Sequence, residues 1–293
     1  MADPDKLLAM FEDLEHSTAP TREKLLKAPF GYPGGKWRSC KNLLPLLPQR
    51  SGWCEVFGGS GVVTLNRNPS KLEVFNDAYS GVTDFYRCLK DSVMLNKLMD
   101  WLNLTVHSRE EFLLSRDTWK DVKDPVERAA RWYYMHQYSF SRLERNFGRA
   151  TSFNARIAGV VRDKLKAFPV AHERFKYVQI ENQDWYQLML DYDDPDMVFY
   201  CDPDYPGTDP AIYKHRIDHH RFLQTVFELK GFVAVSGYSH PLYEKQEWDE
   251  RHEWESFVSV QSLAYQDTSN KADREGVEQR GKAKEVLWIK EAS

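Results

Sequence analysis

An apolar run that stops at a carboxylate offers the clearest chemistry in this sequence. Residues 197–201 are apolar or aromatic, and Asp202-Pro203-Asp204-Tyr205 follows them directly. The carboxyl ends of parallel strands form the edge where α/β sheets bind ligands. Proline beside an acid holds a rigid turn, which fixes the side chain of Asp202 and the carbonyl of Pro203 in one orientation. Asp-Pro turns are also common structural features, so the motif alone leaves a purely structural role open.

A second candidate is the glycine-rich turn Phe57-Gly58-Gly59-Ser60-Gly61, which joins a predicted strand to the helical-looking segment 62–65. Glycine permits positive φ and lets a nucleotide-like ligand approach the backbone. The next predicted strand ends at Asn76-Asp77, and an acid about twenty residues after such a turn suits binding of a ribose hydroxyl pair. Aspartate is also a favoured helix N-cap, so Asp77 has a structural alternative.

The third candidate is Tyr32-Pro33-Gly34-Gly35-Lys36. Its Gly-Lys ending resembles a phosphate-binding loop, but that motif needs four residues between its glycines and a Ser or Thr after the lysine. Trp37 follows here, which argues against a nucleoside triphosphatase. Taken alone, the segment predicts a Pro/Gly turn ahead of a helix near 41–47.

Short β-branched and aromatic runs alternate with helical patterns, which predicts an α/β fold with a mostly parallel sheet and helices on both faces. Seven strands are expected, at 54–57, 72–75, 177–180, 198–201, 232–236, 257–260 and 286–289. The polar stretch 266–284 contains Gly276 and Gly281 and lacks apolar periodicity, so it is expected to be a mobile loop.

About a hundred residues separate the second and third predicted strands, far more than an ordinary βα connection contains. Within them, 128–133 fits an amphipathic helix, and 139–154 has little periodicity. We therefore expect a leader at 1–28, one catalytic domain built from 29–100 and 175–293, and an inserted, mainly helical module at 101–174.

Composition excludes several classes of protein. A chain of 293 residues with net charge −4 is not wholly basic, so any contact with phosphate must come from a local patch such as 142–166. The four cysteines form no Cys-x-x-Cys pair, and none has metal-site spacing to the histidines at 215–220. No signal peptide or membrane-length apolar stretch occurs, so we expect a reduced, cytosolic protein without metal.

Together the motifs resemble the Dam-type, or alpha-group, family of DNA adenine methyltransferases that use S-adenosylmethionine (SAM). That family carries a Tyr/Trp-x-Gly-Gly-Lys motif, a Phe-x-Gly-x-Gly-like turn and an Asp-Pro-Pro-Tyr box in this order. Further matches extend the similarity from Pro29 to Lys290, at Asn76-Asp77, Phe85-Tyr86-Arg87, Leu89-Lys90-Asp91, 232–238 and Glu285-Val286-Leu287-Trp288. The family places target recognition between its cofactor half and its catalytic box, where the long insertion falls.

The resemblance implies a Rossmann-like methyltransferase fold, SAM as cofactor and double-stranded DNA as partner, with no membrane and no metal. It implies that Tyr32 and Lys36 line the methionine end of SAM, that Asp77 binds its ribose, and that Asp202 lies between SAM and the target base. The predicted cofactor site is completed by Phe57, Gly58, Gly59 and Gly61. The expected location is the cytoplasm of a bacterial cell, with a chromosomal or phage gene; a restriction endonuclease partner is compatible with the family, but no residue indicates one.

Segment 139–148 resembles a looser form of the family's DNA-reading hairpin. Arg142, Arg145 and Asn146 are therefore candidates for contacts with bases or phosphates. A solvated charged loop is the structural alternative for each of them. A short palindromic site such as GATC is the commonest target of the family.

By the resemblance, the chemistry is activation of a poor nucleophile, because the lone pair of the adenine amine is delocalised into the ring. The carboxylate of Asp202 and the carbonyl of Pro203 can accept its two hydrogens and aim the lone pair at the methyl group. The base must leave the duplex to reach them, and Tyr205 offers an aromatic face for stacking. Methylation of a cytosine ring carbon would instead use a Pro-Cys pair, which this sequence lacks.

Asp204 stands where the family box usually has a second proline. We expect its side chain to point away from the adenine and to be harmless or to tune the charge of the pocket, although neighbouring carboxylates tend to raise one pKa. The departure keeps a catalytically silent DNA-binding relative open as an alternative, and related boxes keep the cytosine amine and RNA open as substrates. A nicotinamide-dependent dehydrogenase explains only the glycine turn and Asp77, so it is disfavoured.

Overall fold

The computed structural model describes residues 25–149, 159–206, 215–257 and 282–293. Most of the predicted leader, the end of the 139–154 segment and residues 266–281 of the predicted loop lie outside the described residues. Residues 282–284, which the sequence places in that loop, belong to a strand instead.

Seven strands form one mixed sheet, as the sequence predicts. They are β1 (Gly52–Glu55), β2 (Leu72–Asn76), β3 (Gln179–Glu181), β4 (Met197–Cys201), β5 (Phe232–Tyr238), β6 (Glu250–Phe257) and β7 (Lys282–Lys290). Their order is β3-β2-β1-β4-β5-β7-β6. The first five pair in parallel, whereas β7 runs antiparallel to both β5 and β6. The chain reverses its direction of strand addition between β1 and β4, which is where sheets of this kind bind ligands.

The sixth strand begins earlier than the predicted segment 257–260. The strand is β6, and of that segment only Phe257 lies among the described residues, where it belongs to β6. The sequence of β6, ERHEWESF, has no apolar run because β6 lies at the edge of the described sheet, beside β7. Exposed and half-buried side chains alternate along it with the period of a strand that has one solvated face.

The described helices connect these strands and cover the sheet. They are α1 (Cys40–Leu43), α2 (Val62–Asn66), α3 (Ser80–Lys90), α4 (Ser92–Leu104), α5 (Arg109–Thr118), α6 (Pro125–Tyr138), α7 (Val160–Leu165), α8 (Phe168–Phe175), α9 (Trp185–Asp191), α10 (His219–Glu228) and α11 (Pro241–Glu244). Short 3₁₀ turns occupy Leu44–Leu46, Trp119–Asp121 and Phe140–Arg142.

Helices pack on both faces of the sheet, as predicted. Along β1, Trp53 belongs to the core beneath α1 and α2, and Cys54 belongs to the core beneath α9 and α10. In β4, Val198 belongs to the core beneath α1 and α2, and Phe199 belongs to the core beneath α9 and α10. Successive strand residues point to opposite faces, so every central strand is buried on both sides.

The long insertion after β2 is helical and shares one continuous core with α3. Helix α6 lies at its centre and buries most of its side chains, including Trp132 and Tyr133. The predicted helix at 128–133 therefore lies within α6. The prediction expected one apolar face, but α6 is buried on several sides because α3, α4 and α5 all pack around it. Phe75 of β2 contacts Phe175 of α8, which joins this core to the sheet.

Candidate active site

Two cavities lie beside the carboxyl ends of β1, β2 and β4. Cavity A has a volume of about 170 Å³ and is lined by residues at or after these strand ends, including Glu55, Asp77 and Asp202. Cavity B has a volume of about 610 Å³ and is lined by Lys27, Arg142 and other residues outside the sheet, together with Tyr238, Ser256 and Glu285 from three strands. Five residues line both cavities, namely Tyr32, Pro33, Gly34, Gly35 and Ser60. The turn at 32–35 is thus the wall between them.

This wall is a tight turn that its glycines permit. The backbone N–H of Gly35 donates to the carbonyl of Tyr32 at 3.0 Å, and Gly34 has a φ of 74°. A β-carbon on Gly35 would lie only 3.0 Å from that same carbonyl. The turn brings Lys36 to the junction of the two cavities.

Lys36 is buried against the carboxylate of Asp202. Its Nζ lies 2.6 Å from both Oδ1 and Oδ2 of Asp202, 2.6 Å from the hydroxyl of Tyr205 and 3.2 Å from Oε1 of Glu285. Burial by itself would lower the pKa of Lys36, but Asp202 and Glu285 together hold it well above its usual value. Lys36 is therefore an ammonium that joins the glycine motif to the Asp-Pro box.

The two oxygens of Asp202 have different surroundings. Oδ1 accepts hydrogen bonds from Lys36, from Tyr205 at 3.1 Å and from Ser236 at 3.0 Å. Among the described residues, Lys36 alone donates to Oδ2. Burial raises the pKa of Asp202 and the charge of Lys36 opposes that rise. Oδ2 is thus the oxygen with room to accept from a ligand.

The predicted acid of the second strand, Asp77, is half-buried and lines cavity A. Its Oδ2 accepts from the backbone N–H of Gly59 at 2.8 Å, and its Oδ1 accepts from that of Tyr79 at 2.8 Å. Burial raises its pKa to about 6, although these two bonds oppose the rise. Asp77 therefore stabilises the local turn and also presents a carboxylate to the cavity.

The glycines of the turn after β1 divide into two groups. Phe57, Gly58 and Gly59 line cavity A. Gly61 does not line it; a β-carbon there would lie 2.6 Å from the hydroxyl of Tyr86, and its φ is 63°. Gly61 therefore serves close packing at the start of α2, whereas the first two glycines shape the cavity.

Asp204 lines cavity A and is bound to the segment that leads into α10. Its Oδ1 accepts from the backbone N–H of Ile217 at 3.1 Å, and its Oδ2 lies 3.2 Å from Nε of Arg216. Burial opposes ionisation, but hydrogen bonds from His219, Ile217 and Arg216 hold the pKa of Asp204 below its usual value. Of the two neighbouring carboxyl groups, Asp202 has the raised pKa, chiefly through burial, and Asp204 has the lowered one.

Tyr205 is 5% exposed and lines cavity B. Its ring contacts Tyr238 edge-on, with centroids 4.6 Å apart. Its hydroxyl reaches the Lys36–Asp202 pair, while Asp202 and Pro203 line cavity A. The Asp-Pro box therefore spans the two cavities.

The three candidate residues of the predicted DNA-reading segment do not all line the same cavity. Arg142 lines cavity B, but Arg145 and Asn146 do not. The carbonyls of these two residues accept hydrogen bonds from Arg116 and from the N–H of Phe140. All three side chains are exposed.

This loop carries backbone strain and is held by buried groups. Ser141, Arg142 and Glu144 have φ values of 56°, 59° and 61°, a region that non-glycine residues rarely adopt. The buried carboxylate of Glu144 accepts from the hydroxyl of Tyr79 at 2.5 Å and lies 2.8 Å from Nδ1 of His136. Since Tyr79 lines cavity A, Glu144 connects the loop to that cavity.

Sequence reasoning missed several lining residues. Glu285 lies in β7, directly before an apolar run. Its carboxylate accepts a hydrogen bond from the hydroxyl of Ser39 at 3.0 Å, and the residue lines cavity B. A charged residue just before the run VLWI was the available signal. Lys27 and Lys164 also line cavity B, but neither lies in a recognisable motif. Gln183 and Trp185, which follow β3, line cavity A and could have been found from the end of that strand.

Within the described ranges, no cluster of three or more His, Cys, Asp or Glu residues is placed to hold a metal ion. The four cysteines are buried free thiols. No described helix is both long and apolar enough to cross a membrane.

A sequence profile of the D12 class N6 adenine-specific DNA methyltransferases matches residues 32–255. Modification methylase StsI of Streptococcus sanguinis is 22% identical over 149 residues, which are 48% of this chain and 22% of that protein. Type II methyltransferase M.FokI of Planomicrobium okeanokoites is 26% identical over 195 residues, which are 61% of this chain and 29% of that protein. The matches thus span less than a third of the length of either relative.

Proposed function

Because this chain belongs to the D12 class N6 adenine-specific DNA methyltransferase family, we propose that it methylates the exocyclic amine of adenine in duplex DNA. The observation that carries the proposal is the position of Asp202 at the junction of two cavities of opposite character. One is rich in carboxylates and the other is rich in cations. The names of the two relatives lead us to propose further that the reaction serves DNA modification.

The residues of cavity A fit SAM as the methyl donor. SAM carries a cationic sulfonium and a ribose, and cavity A presents carboxylates from Asp77, Asp184, Asp202 and Asp204. Asp77 would hold the ribose hydroxyls, since each of its oxygens keeps a lone pair beyond the backbone bond that it accepts. When bound, SAM supplies an electrophilic methyl group, which the amine nitrogen of adenine takes as the carbon–sulfur bond breaks.

The Asp-Pro box would orient the amine. Oδ2 of Asp202 accepts one amine hydrogen, and the carbonyl of Pro203 accepts the other. No donor among the described residues occupies that carbonyl. These two acceptors aim the nitrogen lone pair, and Asp202 receives the proton that the methylated nitrogen releases before it passes to solvent. Lys36 keeps the carboxylate ionised and stabilises its charge between turnovers.

Cavity B would receive the extruded base. It is wide, it adjoins Asp202 through Tyr205, and aromatic side chains from Trp37, Tyr205 and Tyr238 line it. Stacking on such a ring stabilises a base by about 1 to 3 kcal/mol. This offsets part of the few kcal/mol required to unpair and unstack an adenine.

The test is incubation of the protein with unmethylated DNA and labelled SAM, followed by mass spectrometry of the digested nucleosides. We expect N6-methyladenine from the wild type and about a thousandfold less from Asp202→Asn, since both positioning and charge are lost. Asp191→Asn, on the exposed end of α9, is the matched control and should retain activity.

Each other outcome has a distinct meaning. Label on cytosine or only on RNA would replace the substrate, and SAM binding without transfer to any nucleic acid would indicate a catalytically silent relative. Equal activity of Asp202→Asn and the wild type would remove Asp202 from the reaction.

A further inference from the structure

Four cationic side chains line cavity B. Arg38 follows the glycine motif, and the other three come from distant parts of the sequence. They are Lys27 from the N-terminal segment, Arg142 from the 3₁₀ turn and Lys164 from α7. We call this set the cation trio. The reaction at Asp202 needs no member of the trio, so their convergence calls for another ligand.

The trio is short of negative charge. Within the described part of the chain, none of the three forms an ion pair. Asp163 lines the same cavity, but its carboxylate lies 3.6 Å from Nζ of Lys166. Burial, together with the charges of Arg142 and Lys27, lowers the pKa of Lys164 to about 8. Glu285, also in this cavity, is paired with Lys36. An anion bound beside Lys164 would offset the repulsion that Arg142 and Lys27 exert on it.

Arg142 is held in place rather than left free in solvent. Its guanidinium packs on Gly31, where a β-carbon would lie 2.5 Å from Nη1. Its backbone N–H donates to Ser139 at 3.2 Å, and the hydroxyl of Ser139 accepts from the N–H of Glu144 at 2.7 Å. These bonds maintain the unusual φ of 59° at Arg142. The backbone of Arg142 is thus held, and its guanidinium lies against Gly31 on the lining of cavity B, where its planar fork of donors matches the oxygens of a phosphate.

We propose that Lys27, Arg142 and Lys164 together bind one backbone phosphate of the DNA strand that delivers the target nucleotide to cavity B. This inference rests on the proposed function. A phosphate at the mouth leaves its base free to reach Tyr205 and Asp202 inside. Such a contact positions the strand and carries no sequence information by itself.

The test measures the affinity of the full chain for a random-sequence 30-base-pair duplex by fluorescence anisotropy across a range of salt concentrations. We expect Lys164→Ala and Lys27→Ala each to bind about tenfold more weakly. The slope of log affinity against log salt should decrease by about 1 for each variant, because one cation fewer neutralises phosphate. Lys164→Arg should retain the slope of the wild type.

Two controls separate this role from a structural one. Lys71→Ala removes an exposed lysine at the amino end of β2, at the opposite edge of the sheet, and should not change the slope. The melting temperature of Lys164→Ala should equal or exceed that of the wild type, because the substitution relieves repulsion. Loss of DNA affinity together with a lower melting temperature would instead indicate a packing role and overturn the proposal.

A further experiment tests whether the cation trio binds a phosphate of the DNA backbone or a free anion. Inorganic phosphate at the ionic strength of a chloride control should not protect the wild type against thermal unfolding. Protection by phosphate, combined with unchanged salt slopes in the trio variants, would assign the site to a free anion and overturn the proposal. Nucleoside mass spectrometry of the wild type decides the proposed function separately, so the two failures are distinguishable.

Discussion

Cavity A and cavity B share the 32–35 turn as a wall, but they differ in charge, in origin and in what surrounds them. Cavity A is formed largely by strand ends and carries the carboxylates of Asp77, Asp202 and Asp204. Cavity B is formed by loops, the insertion and side chains from β5, β6 and β7, and it carries the cation trio. The acidic cavity suits a cationic donor and the basic one suits a polyanion. Substitutions in cavity A should therefore change the binding of the donor, and substitutions in cavity B should change the binding of the polyanion.

The largest effect should come from Glu144→Ala, which disturbs both cavities. The change removes a buried carboxylate that joins His136 in the helical core to Tyr79 in cavity A. Each buried hydrogen bond that loses its acceptor costs about 1 to 3 kcal/mol. Denaturant unfolding followed by tryptophan fluorescence measures the loss, with Glu110→Ala on the exposed face of α5 as the control. Equal stability of the two variants would contradict the proposed link.

Gly58→Ala should damage cavity A alone. A β-carbon at this position would lie 2.3 Å from the ring of Phe75 and 2.8 Å from the carbonyl of Asn76. We expect SAM affinity to fall on the order of a hundredfold, since such displacements misplace ligands, and DNA affinity to be retained. Calorimetric titration with SAM measures this. Gly159→Ala, where no atom of the described residues lies within 4 Å of the added carbon, is the control and should bind SAM normally.

Asp77→Asn should weaken SAM binding about tenfold through the loss of charge-assisted hydrogen bonds. Burial raises the pKa of Asp77 from 3.8 to about 6, so the ionised acceptor forms as the pH rises through that value. SAM affinity of the wild type should increase between about pH 5 and pH 7, and that of the variant should not. The stability of the folded protein changes in the opposite direction: it falls as the pH rises from about 3.8 to about 6, where the unfolded state has lost the proton of Asp77 and the folded state still holds it. Retention of the pH dependence in Asp77→Asn would assign it to another group.

The smallest effect should come from Arg145→Ala. This side chain is exposed and does not line cavity B. A single exposed charge contributes up to about 1 kcal/mol, so we expect DNA affinity to fall only a few-fold, with SAM affinity unchanged. Anisotropy titrations beside Lys164→Ala provide the comparison. A larger loss for Arg145 than for Lys164 would place the main DNA contact outside cavity B.

Local patterns were sufficient wherever an element is defined by its own residues. The strands that end at Glu55, Asn76 and Cys201 are short apolar runs, and the residues after them line cavity A. Most of the edge strand β6 escaped prediction because its residues are polar and its pairing with β7 depends on a distant segment. Helix α6 appeared amphipathic because sequence periodicity does not reveal how many neighbours surround a helix.

The sequence alone was sufficient to indicate an α/β fold with a mostly parallel sheet, the glycine turn and the Asp-Pro box, since each is encoded by neighbouring residues. Only the tertiary structure placed Lys36 on Asp202, which lies 166 residues away, and brought Lys27 to Lys164 around one cavity. Such contacts form when packing of the sheet and the insertion brings remote segments together. They leave no period or spacing in the chain, so the charge of each cavity was decided by the fold.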